Sequence, residues 1–548
     1  MLLALTPGMF LALADATIMT IAITEIVQRL DSSFTAVSWI LNGYILTLTV
    51  LFIPAGRLAD RFGHKGVFLA GLALFTAASL GCALSHTVGW IIGFRILQAI
   101  GAAAVVPTSL TLLLDAYRQE RQGLASGLYG AVTFLASAIG PVLGAVMIEF
   151  GPKLAKWAGH PWADSGWRWI FLINLPIGLL GLVLTAFIVP RRERAQNVRM
   201  DIPGVVLLGG GLFCLTMALM EGNRWGWLAG STLGLLLGAA AALGLFVWWE
   251  LRVDYPLFNL RLLRHRPFAG ATAGMTTVDM VLMGTQYMAV IFLVAPSDYT
   301  YLQASYGIAF IPIAGLIVAP FAGRLIDSVG PRILTVIGAL VTAGGLVTLA
   351  YLPLDNALWD TAWRMFLVGA GLGITIPALT AAGMTSLPAA DKGVGSGLLN
   401  TARLLGFLLG VAILVAVFTA TVNVARDNSI SQAIRIVKNE PLLSDQWRSY
   451  IIKAIDQARN VDITASIGNL RRLVNPIEGV PTPAVGTGDA IALLRLQSSL
   501  GDLFRTQVAD AFYWPFMTLV IVALLSIVPA LLLQRRLRVG EPAIGPPS

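Results

Sequence analysis

With 548 residues, 57% of them apolar and 12% charged, the chain carries about half the charge of a soluble domain, where roughly 25% is usual. Too little polar surface remains to dissolve a protein of this size, and a mean hydropathy of +0.78 points to lipid as the solvent. The formal net charge of +8 does not mark a nucleic-acid binder, because the basic residues fall in short loops between apolar runs, where membrane topology collects them.

A membrane span needs about 20 mostly apolar residues. Such runs fall at roughly 4–26, 37–55, 66–85, 88–114, 123–148, 169–189, 202–220, 230–250, 268–294, 302–322, 332–352, 362–383, 395–424 and 512–533, fourteen in all. Asp15 interrupts the first run and no small-residue cleavage site follows, which reads as a first span rather than a removable signal. Turn residues mark several short connections, as at Gly63–Gly66 and Ser328–Pro331. Cys82 and Cys214 both lie inside apolar runs, as small buried residues rather than a disulfide. The four histidines are not clustered and there is no phosphate-binding loop, so neither metal, cofactor, catalysis nor ATP drive is expected.

An even number of spans puts both termini on one side. That side then holds nineteen basic residues: Arg57, Arg61, Lys65, Arg118, Arg121, Arg191, Arg192, Arg194, Arg199, Arg252, Arg261, Arg264, Arg266, Arg324, Arg332, Lys392, Arg535, Arg536 and Arg538. The opposite short loops hold five: Arg29, Lys153, Lys156, Arg168 and Arg224. This asymmetry predicts a multi-pass protein of the plasma (inner) membrane with both termini cytoplasmic. Residues 426–510, with ten Lys/Arg and nine Asp/Glu, fall outside, and a connection this long is exempt from the charge rule. Its amphipathic stretches, Trp447 to Ala458 and Ala490 to Val508, predict a helical extracytoplasmic elaboration with a turn near Gly479 to Gly488 and no capacity to span.

The chain repeats itself. Gly56-Arg-Leu-Ala-Asp60-Arg-Phe-Gly63 returns as Gly323-Arg-Leu-Ile-Asp327-Ser-Val-Gly330, an offset of 267. Arg95 and Pro107 return as Arg364 and Pro377, and Gly123-Leu-Ala-Ser126-Gly127-Leu128 returns as Gly393-Val-Gly-Ser396-Gly397-Leu398, at offsets of 269 to 270. Three pairs in one order at nearly one offset mark a duplication. The predicted fold is all-α and integral to the membrane: a six-helix half over 1–189, two inserted helices over 190–266, and a second six-helix half over 267–548 that contains the 426–510 loop. Transporters are commonly built from such repeats, with a site at the midplane between halves and alternating access by rocking.

The same residues resemble the major facilitator superfamily, and in detail its fourteen-span drug:proton antiporters of the EmrB/QacA type. The likeness rests on GRLADRFGHK at Gly56 to Lys65; on Gly127, Ala136, Gly140, Pro141 and Gly144 in span five; and on Arg95, Gln98 and Gly101 in span four. GWRWIFLINLPIG at Gly166 to Gly178 and GSGLLNTARLLGFLLGVAI at Gly395 to Ile413 add to it. Ala136 stands where the span-five pattern has a glycine, and the 426–510 loop exceeds the family's usual length. The resemblance implies proton-coupled efflux of small amphipathic, often cationic compounds, multidrug-exporter-like, powered by the proton gradient without a cofactor.

Several residues then become candidates. Asp15, in the middle of span one, is costly to hold ionised in lipid, on the order of 2.5–3.5 kcal/mol. Its Asp-x-Thr context resembles the family's functional acid, so proton coupling and substrate binding are both expected of it. Arg95 in span four cannot be neutralised and needs a partner or water; the resemblance ties it to coupling. Gly140, Pro141 and Gly144 permit close helix approach and a bend, and the resemblance implies a seal between the halves. Gly56, Asp60, Arg61 and Gly63 form a loop that can gate, with Asp60 after a tight Gly56 turn and set against a helix N-terminus or nearby arginines. Tyr44, Phe134 and Tyr287 offer rings for cation–π contacts.

Asp279 lies at an offset of 264 from Asp15, in the middle of the leading helix of the second half, and is expected as its pseudo-symmetry mate in the substrate site. Met275, Met283 and Gln286 share its helical face. Partners expected are membrane lipids, a small-molecule substrate and an extracytoplasmic protein met through 426–510. Two other readings stand beside efflux: export of an endogenous metabolite or lipid-like molecule by the same fold, and a membrane receptor or scaffold acting through the 426–510 loop. The charge asymmetry predicts that cysteines placed in 440–500 are labelled by an impermeant maleimide from outside, whereas cysteines near Gly63 and Arg194 are not. The reverse pattern removes the fourteen-span topology.

Overall fold

The computed structural model describes residues 2–30, 32–116, 122–157, 165–190, 200–294, 296–297, 299–388, 392–457 and 488–535. A backbone in lipid has no water to satisfy its N–H and C=O groups, so it must close its hydrogen bonds within each segment. Among the described residues the regular elements are helices. The first half has α1 (Leu2–Arg29), α2 (Phe34–Phe62), α3 (His64–Leu84), α4 (Val88–Ala116), α5 (Gln122–Trp157), α6 (Gly166–Leu172) and α7 (Asn174–Ile188). The inserted pair is α8 (Ile202–Trp225) and α9 (Gly230–Glu250). Then follow α10 (Arg266–Val294), α11 (Tyr301–Val329), α12 (Pro331–Ala350), α13 (Leu358–Thr385), α14 (Lys392–Asn439), α15 (Asp445–Gln457), α16 (Gly488–Asp510), α17 (Tyr513–Leu525) and α18 (Ile527–Ala530).

Thirteen helical segments are long and apolar enough to cross a membrane, and the two bent pieces of α1 make a fourteenth. The bend is 40°, between Leu3–Asp15 and Thr17–Arg29. Thr17 Oγ1 donates back to Ala14 O at 2.9 Å and Thr20 Oγ1 to Thr17 O at 2.7 Å, the side-chain back-bonding that bends helices.

Packing repeats with the sequence. α1 on α5, α2 on α4, α3 on α4 and α3 on α7 are matched by α10 on α14, α11 on α13, α12 on α13 and α12 on α17. The halves meet along α5–α11 and α2–α14. α8 packs on both α2 and α14, and α9 packs on α8, so the insertion braces the seam between halves.

The helix-to-helix turns repeat too, at the expected Gly63–Gly66 and Ser328–Pro331 connections, but the tight turn expected at Gly56 is not formed. Gly56 lies inside α2; the chain reverses at Gly63, whose φ of 93° favours glycine, and at its counterpart Gly330, φ 91°. Two residues on, Lys65 Nζ donates to Ala186 O at 2.8 Å and Val189 O at 2.5 Å, at the end of α7. Its counterpart Arg332 donates to Leu533 O at 2.9 and 2.6 Å, just past α18. In each half a cation thus sits on the last carbonyls of the closing helix, where the helix dipole favours it.

Where it is described, the long connection is helical, as expected, and it packs against the bundle. α14 runs for 48 residues, roughly 70 Å at 1.5 Å per residue, more than twice a hydrocarbon core of about 30 Å. It therefore continues well past the span. α16 returns along it, burying Ala492, Leu493, Leu496, Leu500, Phe504 and Val508 at helical spacing, and leads into α17. Ile451 and Ile455 of α15 are buried in the same cluster. Residues 458–487, with most of the expected turn, lie outside the described residues.

Glycines set how closely each half packs. A Cβ on Gly140 would lie 2.2 Å from Thr17 Oγ1, and one on Gly144 would lie 3.2 Å from Ile18 O. In the second half a Cβ on Gly406 would lie 2.3 Å from Thr276 O, and one on Gly410 would lie 2.7 Å from Met280 O. α1 and α10 therefore sit directly on the backbones of α5 and α14. We expect Gly406→Val to destabilise by about 1–3 kcal/mol, since its neighbour is backbone that cannot swing aside. Gly93→Ala, which meets nothing within 4 Å, should leave the protein unchanged. Thermal unfolding of the two purified variants in detergent compares them directly.

Candidate functional site

Two polar constellations lie within the span region. The first is enclosed in the first half. Arg95 Nη1 donates to Asp15 Oδ2, and to Gln98 Oε1 at 2.7 Å. Arg95 Nε donates to Ile40 O at 3.2 Å, and its guanidinium lies 4.0 Å from the centre of the Tyr44 ring. Gln98 Nε2 donates to Asp15 Oδ1 at 3.2 Å and to Ser79 Oγ at 2.7 Å. Asn174 Nδ2 reaches Ser79 Oγ at 3.3 Å and Asp15 Oδ1 at 3.5 Å. The network joins α1, α2, α3, α4 and α7, with Arg95 0% and Asp15 1% exposed. Burying two charges is repaid only by good geometry and further hydrogen bonds, and the ring of amides and hydroxyls supplies them. One atom stays unsatisfied, Arg95 Nη2.

The second constellation is a cavity of about 140 Å³ between the halves. Ala12, Leu13 and Thr17 of α1, Ile45, Leu48 and Phe52 of α2, Val106 of α4 and Ser137 of α5 line one side. Leu282, Met283 and Gln286 of α10, with Asn400, Arg403, Leu404 and Phe407 of α14, line the other. Arg403 Nε donates to Asp279 Oδ2 at 3.2 Å, and Asp279 Oδ1 has no partner. The cavity is smaller than the roughly 300–1,000 Å³ of sites for drug-sized ligands. A ligand of that size requires the halves to part.

The halves also touch through polar contacts. Ser38 Oγ and Tyr287 Oη lie 2.6 Å apart, joining α2 to α10. Tyr301 Oη donates to Gln28 Oε1 at 3.3 Å, joining α11 to α1. Both join the ends of these helices nearest the α1–α2 and α10–α11 connections.

The expected site residues divide accordingly. Met283 lines the cavity and Asp279 stands directly behind its wall. Met275 is buried away from the lining, and Tyr287 serves the contact between halves. Asp15 and Tyr44 do not line the cavity; they face Arg95 inside the first half, so Tyr44 spends its ring on a protein cation. The side chain of Phe134 lies outside the described residues; the rings in the lining are Phe52 and Phe407. Gly140 and Gly144 seat α1 within their own half, on a helix, α5, that also packs on α11 of the other half, and α5 runs unbroken through Pro141. Asp60 lies 3.4 Å from His64 and within the electrostatic reach of Arg57, and Arg61 lies 5.3 Å over the Phe62 ring. Arg57, not among the expected gating residues, donates to Tyr255 O at 3.3 Å and to Pro256 O in the α9–α10 connection.

Asp15 and Asp279 are not structural mates. Gly140 and Gly144 contact the carbonyls of Ala14 and Ile18, and Gly406 and Gly410 contact those of Thr276 and Met280. Subtracting 14 from 276 and 18 from 280 gives 262 both times, which matches Asp279 to Thr17 and Asp15 to Thr277. A two-residue difference is about 200° around a helix, so the two carboxylates point to opposite faces. Arg403 is the residue the sequence reading missed. Its signal was an arginine deep in an apolar run, which must find a partner.

A duplicated helical bundle with a cavity between its halves, apolar-walled and carrying a few polar groups, defines a membrane carrier. The chain belongs to the Major Facilitator Superfamily, whose family model matches residues 5–411. It is 34% identical over 424 residues to the tetracenomycin C resistance and export protein of Streptomyces glaucescens, covering 75% of this chain and 74% of that one. It is 31% identical over 425 residues to the methylenomycin A resistance protein of Streptomyces coelicolor, covering 76% and 85%. The fold matches the crystal structure of a bacterial homolog of the human lysosomal transporter Spinster, with a TM-score of 0.61, 97% of each chain covered and 17% identity.

The buried pair gives a stability prediction. Arg95→Met strands the Asp15 charge and should cost about 3–5 kcal/mol, whereas Asp15→Leu/Arg95→Met should regain most of that loss. Thermal unfolding of the two single variants and the double variant closes the cycle; a double variant as unstable as the sum of the singles would remove the pair as a structural unit.

Proposed function

We propose that this carrier exports small amphipathic compounds in exchange for protons, by alternating access of the cavity between its halves. The observation that supports this most is the cavity itself: apolar walls with a few polar groups, set on the seam where the halves meet. The names of the two Streptomyces relatives, which speak of resistance and of export, favour an outward direction for this chain. The sidedness follows the charge asymmetry, with both termini in the cytoplasm of a cell whose plasma membrane lipids surround the bundle.

Asp15 is the proton site in this reading, and Arg95 its positioning partner. α1 carries Asp15 on one face and the cavity residues Ala12, Leu13 and Thr17 on another. Protonation of Asp15 removes the charge that holds Arg95, which frees α1 from α4. Because α1 bends beside Asp15, its cavity face can then shift relative to the glycine seats on α5. Occupancy of the cavity and protonation thus compete for the position of one helix, which is the differential contact that coupling requires.

Proteoliposomes with an imposed pH gradient test the exchange. Wild-type protein should accumulate an amphipathic substrate against its gradient, with substrate-dependent proton movement in the opposite direction. Asp15→Asn fills the same space without titrating; gradient-driven transport should fall at least about tenfold, while substrate binding persists. Undiminished gradient-driven transport by that variant would sink Asp15 as the coupling site.

A further inference from the structure

Among the described residues of the cavity wall, Arg403 is the one charged side chain, and no carboxylate lines it. Asp279 is fully buried behind it, while 30% of the Arg403 side chain is open. A guanidinium presents five N–H donors on a rigid planar fork. Asp279 takes the one on Nε. Nη1 and Nη2 have no hydrogen-bond partner among the described residues, and neither is fully buried, on a side chain that lines the cavity. That pair of parallel donors is the edge that grips a carboxylate through two bonds. The amide of Gln286, also without a partner among the described residues, faces the same space, and Phe52 and Phe407 supply apolar area.

An ammonium entering this cavity meets a guanidinium first. The two mid-span carboxylates nearest the cavity helices are turned away: Asp15 onto Arg95 inside the first half, Asp279 behind Arg403. Given the export reading of this cavity, we propose that its substrates are amphipathic acids, with an apolar body against the Phe52 and Phe407 walls. A carboxylate or other acidic oxygen pair would seat on the Nη edge of Arg403. Asp279 is then a positioning residue, holding Nε so that the fork points into the cavity.

The test uses purified full-length protein in nanodiscs and two probes with one ring system and opposite charge, 2-naphthoate and 2-naphthylmethylammonium. Calorimetry should show naphthoate binding at least about tenfold tighter than the amine, the scale of one charge-assisted hydrogen-bonded pair. Arg403→Gln should erase that preference and leave the amine bound no more weakly. Asp279→Asn removes the negative charge behind the fork and should tighten naphthoate a few-fold, which a merely structural role would not produce. Should Arg403→Gln fail to fold because Asp279 is stranded, Arg403→Gln/Asp279→Asn carries no unpaired buried charge and should show the same loss. Equal affinity of wild-type protein for both probes, or naphthoate binding that survives in the double variant, overturns the proposal. Binding and transport separate the two readings: naphthoate held through Arg403 but not moved by a pH gradient keeps this site and removes the exchange. Transport of the amine with Arg403-independent binding does the reverse.

Discussion

Direct contact between helix backbones at four glycines is the constraint on which each half depends. Lipid gives helices no hydrophobic reason to associate, so a membrane bundle relies on close packing and internal hydrogen bonds. Gly140 and Gly144 let α1 rest on α5, and Gly406 and Gly410 let α10 rest on α14. These seats fix the rotation of the two leading helices. Rotation in turn decides which side chains of α1 and α10 reach the cavity and which are locked inside a half. Without that approach Asp15 could not be held against α4, nor Asp279 placed under Arg403.

The two buried ion pairs differ in kind. Asp15 and Arg95 are sealed from the cavity and wrapped by Gln98, Asn174 and Tyr44, so nearly every donor and acceptor has a partner. Asp279 and Arg403 are joined by one bond, and each keeps unused capacity: an unpartnered Oδ1 on one, an open Nη edge on the other. A saturated pair suits a group whose state is set by a proton. An unsaturated pair at a cavity wall suits a group that completes its bonding with a visitor. In the proposed exchange the halves therefore divide the labour, the first holding the proton and the second presenting the charge to the substrate.

Much of the fold was legible because its signals are one-dimensional. Length and apolarity count spans, and the 267-residue offset marks the duplication. Lys65 and Arg332 even return at that offset onto equivalent closing helices. The site was less legible because it depends on angle. Each residue turns a helix by about 100°, so a small error in alignment carries a side chain to another face. That is how Asp279 came to be matched with Asp15 when the glycine seats match it with Thr17. The continuation of α2 through Gly56, and of α14 far beyond its span, were obscured differently. In both cases helix continues where turn residues or charge suggested a break.

The loss of symmetry at those positions bears on mechanism. Had both leading helices carried a carboxylate at equivalent sites, the halves would present like charges to one cavity and neither would be biased. Instead Thr17 occupies the first-half position and Asp279 the second, and Asp279 is covered by Arg403 from α14. In the first half the seat under Gly140 touches Thr17 Oγ1, and that hydroxyl donates back to Ala14 O beside the bend of α1. The corresponding contact in the second half is from Gly406 to the Asp279 Cβ, where α10 runs as one helix from Arg266 to Val294. A bent helix can change angle on its seat more easily than a continuous one. In the proposed exchange, α1 is thus the element placed to move, and α10 the one that keeps Asp279 and Arg403 in register with the cavity.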